Sequence, residues 1–173
     1  MKQKPMRNPT LGALQSKSRR LKMKSNTTRL RKVKQPSKLT LKRKVWSAFS
    51  KYIRLRDCLK TTGTLTHGKC ITCGKLLSIN FCDAGHFVSR RYNATLFAEK
   101  NCHIQCRYCN RYLHGNLLEY RRQIIKLYGE GADIELEDKA MEIKRYTPQA
   151  LTELEKYYII EVENLQRIAE SKE

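Results

Sequence analysis

Two Cys-x-x-Cys pairs restrict the fold of this chain more than any other feature. Cys70 and Cys73 form the first pair, Gly74 follows it directly, and Cys106 and Cys109 form the second. Each pair can present two thiolates to one ion, and four thiolates complete a closed tetrahedral site of the structural kind. The spacing predicts one structural Zn²⁺ on these four cysteines. A redox-active pair and an iron–sulfur cluster are the alternatives.

The segment between the two pairs is unusually long. It has 32 residues, whereas common zinc ribbons have about 15–20. Its glycines and the short β-prone run over 76–82 favour tight turns and a hairpin. It also carries Asp83, His86 and Asn101, and Asn110 comes directly after the last cysteine. A functional insertion is therefore predicted between the pairs.

The positive charge is concentrated at the N-terminus. Residues 1–56 contain 19 Lys or Arg and no Asp or Glu, although the whole chain has 36 basic and 16 acidic residues. Such a tract can neutralise phosphates and bind nucleic acid in a salt-dependent way. A solvated tail without a partner and an organelle transit peptide are the competing interpretations. The candidate phosphate contacts in this tract are Arg19, Arg20, Arg31 and Lys32.

The pattern of apolar residues predicts an arm followed by helices. Residues 1–38 lack periodic apolar positions, which predicts a disordered basic arm. Helical spacing predicts helices over 41–57, 117–127, 132–144 and 148–169. Ser37 or Thr40, Asn116 and Thr147 are the expected N-caps. Trp46, on the first helix, belongs either to the core or to a base-stacking surface.

Several residues of the insertion resemble a known nuclease motif. His86, Asn101 and Asn110, framed by the paired cysteines, resemble the HNH (ββα-metal) motif, and the zinc-stapled layout is similar to that of the endonuclease VII family of phage junction resolvases. Over about residues 40–170 the chain resembles the lambdoid phage NinG (Rap) recombination family. The matching segments are Asp83-Ala-Gly-His86, Asn101-x-His103-x-Gln-Cys106, Gly115-Asn116 and Tyr120-Arg121.

The resemblance implies a fold and an activity. The fold would be α+β, with a small zinc-stapled ββα-metal (HNH-type) nuclease core flanked by helices. Its regions would be the basic arm over 1–38, the nuclease domain over 39–129 and an acidic helical region over 130–173. The activity would be metal-dependent endodeoxyribonuclease cleavage of branched recombination intermediates, namely Holliday junctions and D-loops.

The resemblance also implies roles for individual residues. His86 would be the general base, and the Asn101 amide oxygen would accept a hydrogen bond from its imidazole. Asn110 and Asp83 would hold one catalytic Mg²⁺ or Mn²⁺. This chain departs from the common pattern in having Gly85 where many HNH nucleases place a metal-binding Asp or His, and in having Asn110 in place of the usual last histidine. His103 and His114 are alternative ligands.

Arginines near this centre are candidates for clamping the flanking phosphates. They are Arg90, Arg91, Arg107, Arg111, Arg121 and Arg122. Symmetric cutting of a junction needs two active sites, so we expect a homodimer, formed through the apolar faces of the C-terminal helices. Phage or host recombination proteins are further expected partners.

The cellular setting and the competing functions follow from the same features. No segment approaches the ~18 consecutive apolar residues of a membrane span, so the expected location is the cytoplasm of the phage host. Cys58, Cys82 and Cys102 are then free thiols. Two other functions remain open: a non-catalytic zinc module that binds branched or single-stranded DNA, and a ribosome-associated basic zinc protein.

Overall fold

A computed structural model describes residues 36–171, where four α-helices surround two short antiparallel hairpins. Short 3-10 turns precede β3 and β4, and a π-helical turn covers Tyr108–Tyr112. This confirms the mixed α+β class. The predicted contacts Arg19, Arg20, Arg31 and Lys32 lie outside the described residues. The elements are α1 (Lys38–Thr62), β1 (His67–Lys69), β2 (Leu76–Ser78), β3 (Cys82–His86), β4 (Cys102–Cys106), α2 (Leu117–Tyr128), α3 (Ala132–Met141) and α4 (Pro148–Glu170).

Helix α1 has a clear signal at each end. The Ser37 hydroxyl accepts a hydrogen bond from the Thr40 amide at 3.2 Å, which satisfies one of the free N–H groups of the first turn. Gly63 ends the helix in the left-handed conformation, at φ 73°. The helix is longer at both ends than the predicted 41–57, because these caps lie outside the run of periodic apolar residues.

The main core lies between α1 and α4. Val45, Phe49 and Ile53 on α1 are fully buried. Phe49 packs edge-on against Tyr158 of α4, with ring centroids 4.9 Å apart, and Leu151 is buried in the same cluster. The apolar face of α4 is therefore covered by α1 of the same chain. The predicted homodimer would have used this same face of α4 as its interface.

The β3–β4 hairpin lies against both α1 and α2. Its register pairs Cys82 with Cys106 and His86 with Cys102. From α1, Arg56 donates to the Cys102 carbonyl at 2.9 Å, and Asp57 accepts from the Ile104 amide at 2.9 Å. From α2, the buried Tyr120 hydroxyl donates to the carbonyl of Gly85 at 2.9 Å. These bonds fix the hairpin that carries the candidate base.

The remaining helices follow the predictions closely. Helix α4 begins at Pro148, where the Thr147 hydroxyl accepts from the Ala150 amide as predicted. Helix α2 has Asn116 at its N-cap position, but that residue is left-handed, with φ 47°, and its side chain makes no capping bond within residues 36–171. The cap prediction for Asn116 was thus wrong. No helix in the described part of the chain is both long and apolar enough to cross a membrane.

Candidate metal centre and active-site cleft

The four cysteines of the two pairs converge on one point. Their sulfur atoms all lie within 4.8 Å of one another, and three of the four residues are buried. Cys70 follows β1, and Gly74 donates to its carbonyl at 2.9 Å in a tight turn where Gly74 has φ 70°. The second pair joins the end of β4 to the π-helical turn. The cluster therefore connects the two hairpins.

The chemistry of this cluster fits a structural zinc ion. Burial and the neighbouring Cys70 thiolate raise the pKa of Cys73 to about 12, whereas the Thr72 hydroxyl and nearby amides hold the pKa of Cys70 at about 7 despite its burial. Four close thiols cannot all ionise without a compensating cation. Zn²⁺ prefers four thiolates in this closed arrangement. The cysteine cluster thus supports the predicted metal centre.

The imidazole of His86 is held in a defined orientation at the end of β3. Its Nε2 lies 2.9 Å from the carbonyl oxygen of Leu96. A carbonyl only accepts, so Nε2 carries the proton and the lone pair of the neutral ring is on Nδ1. Burial, with a smaller effect of Arg90, lowers the pKa of His86 to about 4. The ring is therefore neutral at physiological pH.

Asn101 positions this histidine indirectly. Its Oδ1 accepts from the Val88 amide at 2.7 Å, and its Nδ2 donates to the carbonyls of Val88 and Thr95. The side chain is fully buried. The expected hydrogen bond between Asn101 and the imidazole is not made, because the amide is used to close the loop between β3 and β4. That loop supplies the Leu96 carbonyl that orients His86.

Trp46 of α1 forms a wall beside the candidate base. Its ring stacks on that of His86, with centroids 5.1 Å apart and planes 28° apart. The Arg90 guanidinium lies over the indole at 4.7 Å. Trp46 is thus neither a fully buried core residue nor a free stacking surface. Its ring lies between the imidazole and a cationic side chain.

The candidate metal ligands Asp83 and Asn110 contact each other. Asn110 Nδ2 donates to Asp83 Oδ2 at 2.9 Å, and Arg111 makes a bidentate ion pair with the same carboxylate, at 2.8 Å for each bond. Burial opposes ionisation of Asp83, but Arg111 and Asn110 hold its pKa below the ordinary value. The carboxylate is therefore ionised, and Arg111 already neutralises its charge.

Two adjoining clefts bring these residues together. One, of about 310 Å³, is lined by His86, Asn110 and His114. The other, of about 420 Å³, is lined by Asp83 and Asn110, with Arg54 from α1 on its wall. Asn110 lines both. The base thus lines one cleft, the carboxylate lines the other, and the amide of Asn110 lies where they meet.

The two alternative histidine ligands have different positions. His103 is buried, and its Nδ1 lies 3.1 Å from Asp57 Oδ2 while its Nε2 lies 3.1 Å from the Tyr128 hydroxyl. Both ring nitrogens of His103 are therefore used inside the core. His114 is exposed and lines the same cleft as His86 and Asn110. Of the two, His114 is the one near the candidate centre.

The predicted arginines fall into two groups. Arg90 and Arg111 line the clefts, Arg107 is exposed on the neighbouring turn, and Arg91 is exposed in the loop. Arg121 instead pairs with Asp133 and Glu137 of α3, and Arg122 pairs with Glu119 at 3.1 Å. These two α2 residues are neutralised by acidic partners in the same chain. Their charge is less available to a phosphate.

Sequence reasoning missed three features of the site. Arg54 lines the cleft on the polar side of α1, and the helical spacing of that face could have identified it. The Leu96 carbonyl has no sequence signal, since any residue carries one. Gln105, fully buried beneath Gly85, is recognisable only from the register of β3 and β4.

Comparison with known proteins places the chain in a family. The profile of the family described as "Bacteriophage Lambda NinG protein" matches residues 1–170. The ninG proteins of Escherichia phage 933W and Escherichia phage lambda are each 42% identical to this chain over 69 residues. These residues are 39% of this chain, 34% of the 933W protein and 33% of the lambda protein. The ninG protein of Salmonella phage P22 is 42% identical over the same length, which covers 39% of this chain and 34% of the relative. The matched segment spans about a third of the length of these relatives.

No solved structure matches this chain. The family match rests on almost the whole sequence, and the basic tract at the N-terminus lies within it. The residues of the candidate centre, from Asp83 to Asn110, also lie within the matched range. The chain belongs to the bacteriophage lambda NinG family.

Proposed function

We propose that this protein is a metal-dependent, structure-specific endodeoxyribonuclease that cleaves branched DNA recombination intermediates. The observation that carries the proposal is the state of His86: a neutral imidazole whose Nε2 is fixed on the Leu96 carbonyl, in a depression it shares with Asn110. A general base needs a fixed ring and an unprotonated nitrogen at the working pH. The fixed, neutral ring of His86 supports this role, although a pKa of about 4 makes it a weaker base than an ordinary imidazole.

The proposed role of His86 is to take a proton from the attacking water. With Nε2 protonated, Nδ1 holds the lone pair. The nearest hydrogen-bonding neighbour of Nδ1 is Cys102 Sγ, at 4.0 Å, and a thiol at this distance makes only a weak hydrogen bond to the lone pair. Water activated at Nδ1 would attack the phosphorus of the scissile phosphodiester. Trp46, stacked on the ring, prevents the imidazole from rotating away.

Asn101 is a positioning residue in this proposal. It touches neither DNA nor the reacting atoms, because its amide is used by the backbone of Val88 and Thr95. By closing the loop it holds the Leu96 carbonyl under the imidazole. Without this amide, neither the tautomer nor the orientation of the His86 ring would be fixed.

Asp83 and Asn110 are the proposed ligands of the divalent ion. Carboxylate and amide oxygens suit a hard cation such as Mg²⁺ or Mn²⁺. When bound, such an ion would neutralise the scissile phosphate and stabilise the departing 3′ oxygen. Arg111 holds both oxygens of Asp83, so this arginine would have to move from the carboxylate to a DNA phosphate when metal and substrate bind.

The distribution of positive charge supports a nucleic-acid substrate. Arg90 and Arg54 line the cleft. Helix α1 also carries exposed basic residues along its polar face, which would follow a phosphate backbone by charge attraction. On that face they are Arg43, Lys44 and Lys51, whereas the exposed Lys38 and Lys60 lie at the two ends of the helix, outside that face. The preference for branched DNA and the recombination partners rest on the family resemblance.

The test compares cleavage with binding. His86→Ala is expected to reduce Mg²⁺-dependent cleavage of a four-way junction by about 100- to 10,000-fold, the usual contribution of a general base, while junction binding is retained. His67→Ala, which removes an exposed histidine in β1, is the matched control and should cut normally. Linear duplex and metal-free reactions complete the set. A wild-type protein that cuts no junction with Mg²⁺ or Mn²⁺ would refute the enzyme proposal.

One observation favours a second function, a non-catalytic zinc module that binds branched or single-stranded DNA. Arg111 and Asn110 already fill the hydrogen-bonding positions of Asp83, so the carboxylate is satisfied without metal. This function predicts tight junction binding with no dependence on Mg²⁺ and no cleavage. The same assay separates the two.

A further inference from the structure

A groove at the cysteine cluster is lined by three of the four clustered cysteines and by exposed apolar and aromatic side chains. Its volume is about 410 Å³, and Phe81 and Tyr108 on its walls are 59% and 63% exposed. Large aromatic rings in a patch this exposed are typical of interaction sites rather than of a core. We call it the aromatic groove and define it by Leu77, Phe81, Arg107, Tyr108 and Leu113.

The rings of this surface are not needed for packing. Tyr108 and Tyr112 lie on the π-helical turn and stack on each other, with centroids 6.1 Å apart and planes 26° apart, yet Tyr112 is 74% exposed. Neither tyrosine belongs to a buried cluster of the described residues. The pair therefore extends the apolar surface of the groove toward solvent.

Positive charge accompanies the exposed rings. The Arg107 guanidinium lies 5.7 Å from the centre of the Phe81 ring, and Lys75 also lines the groove. No Asp or Glu is among the described residues that line it. Exposed aromatic faces beside cationic side chains are the chemistry that binds single-stranded nucleic acid, because bases stack on the rings and phosphates meet the charges.

The groove lies next to the candidate active site. Tyr108 and Tyr112 are on the same π-helical turn as Asn110, which lines both clefts around His86 and Asp83. Arg107, which lines the groove, also lowers the pKa of Asp83 in the neighbouring cleft, so the two sites are close enough for one DNA strand to reach both. A fully paired duplex has no free base to place in the groove.

We infer that the aromatic groove receives an unpaired base of the DNA substrate, stacked on Tyr108 and Phe81, with the adjoining phosphate at Arg107 and Lys75. The inference rests on the proposed function for its DNA partner. It adds a structural basis for recognising branched substrates that carry unpaired bases, such as D-loops and forks with single-stranded arms. A competing explanation for Arg107 and Lys75 is that they only balance the thiolate charge of the cysteine cluster.

The experiment measures binding in the His86→Ala background, so that no DNA is cut. Tyr108→Leu should weaken binding to a fork with unpaired bases by about 5- to 150-fold, the range expected when one base no longer stacks on a ring. Its affinity for fully paired duplex should stay unchanged, and Tyr108→Phe, which keeps the ring, should bind like the parent. A 2-aminopurine at the branch point should lose its stacking-induced quenching in Tyr108→Leu.

Controls separate recognition from folding and from catalysis. Tyr157→Leu removes an exposed tyrosine of α4 and should change nothing. Zinc content and melting temperature are measured for every variant, and Phe81→Leu replaces Tyr108→Leu if the latter loses zinc. Equal weakening on fork and duplex, or no weakening on the fork, would overturn the inference. The readout is binding, so it is independent of cleavage. If the wild type never cuts DNA but Tyr108→Leu still weakens fork binding alone, the nuclease proposal is refuted and the inference about the groove stands.

Discussion

Gly85 shows how one position constrains the candidate centre. An ideal Cβ at this position would lie 2.1 Å from Gln105 Oε1 and 3.0 Å from Asn110 Oδ1, so a side chain here would force Gln105 to move. Gln105 is fully buried, its Nε2 donates to the Gly115 carbonyl at 2.8 Å, and its Oε1 has no hydrogen-bond partner within residues 36–171. The buried amide of Gln105 thus occupies the space beside Gly85 into which a side chain would extend.

A double-mutant cycle tests this packing. Gly85→Ala should lower the free energy of unfolding by about 1–3 kcal/mol, the usual cost of overpacking a tight site. Gln105→Ala removes the obstructing amide, so Gly85→Ala should cost much less in that background. Urea unfolding of the two single variants and the double variant gives the coupling energy. Additive costs would mean that the two residues do not compete for this space.

The residue types at the centre could be predicted from the sequence, but their contacts could not. The four cysteines converge as their spacing predicted. The partners of Asn101 differ from the prediction because they depend on how a 15-residue loop between β3 and β4 closes. The position of Trp46 against His86 likewise depends on how α1 crosses the hairpin. Such long-range contacts leave no periodic signal in the chain.

At the scale of elements, the helices were predicted best because their signals are local. Ser37 and Thr147 make the capping bonds expected of them, and α4 begins at Pro148. The π-helical turn over Tyr108–Tyr112 was not predicted. It carries Cys109 into the cysteine cluster and Asn110 into the cleft, so its form depends on residues distant in sequence.

The connection of elements through the cysteine cluster leads to a second prediction. The wild-type protein should contain one zinc ion per chain, and Cys70→Ala should lose the ion and the cooperative unfolding transition together, because metal-binding energy is folding energy in a small domain. A strong chelator should have the same effect. Zinc content is measured by atomic absorption and folding by circular dichroism.

Cys82→Ala is the matched control for this experiment. It removes a buried thiol of β3 that is paired in register with Cys106 but lies outside the cluster. This variant should keep its zinc and melt only slightly earlier. A Cys70→Ala protein with a full zinc content and native spectra would contradict the role assigned to the cluster.

At the scale of the whole molecule, charge is divided between the two ends of the chain. Residues 130–173 contain 12 acidic and 6 basic residues, in contrast to the basic N-terminal tract. Helix α4, in the acidic region, lies along α1 and shares its core through Tyr158 and Phe49. The acidic region is thus suited to supporting α1 rather than to contacting DNA. A homodimer, which we still propose for paired cutting, would have to use a surface other than the buried face of α4.

The contribution of the basic tract can be measured by truncation. Residues 1–35 contain 12 Lys or Arg, and removing them leaves Ser37, the cap of α1, in place. Each phosphate that the protein no longer neutralises should reduce the slope of log affinity against log salt by about 0.9. The truncated protein should therefore bind junctions more weakly at low salt and with a shallower salt dependence, as fluorescence anisotropy across a salt series would show. Its melting temperature and its cleavage rate at saturating DNA should remain unchanged.

A charge variant of the full chain makes this test specific. Replacing Arg19, Arg20, Arg31 and Lys32 with Gln should reduce the salt slope by about 1–4 if these side chains meet phosphates, because at most four phosphates lose their cationic partner. The same four substitutions leave α1 and the cysteine cluster intact, so any loss of affinity is electrostatic. If the truncated protein and the charge variant both keep the salt slope of the wild type, the tract does not lie on the DNA. The basic face of α1 would then carry the phosphate binding.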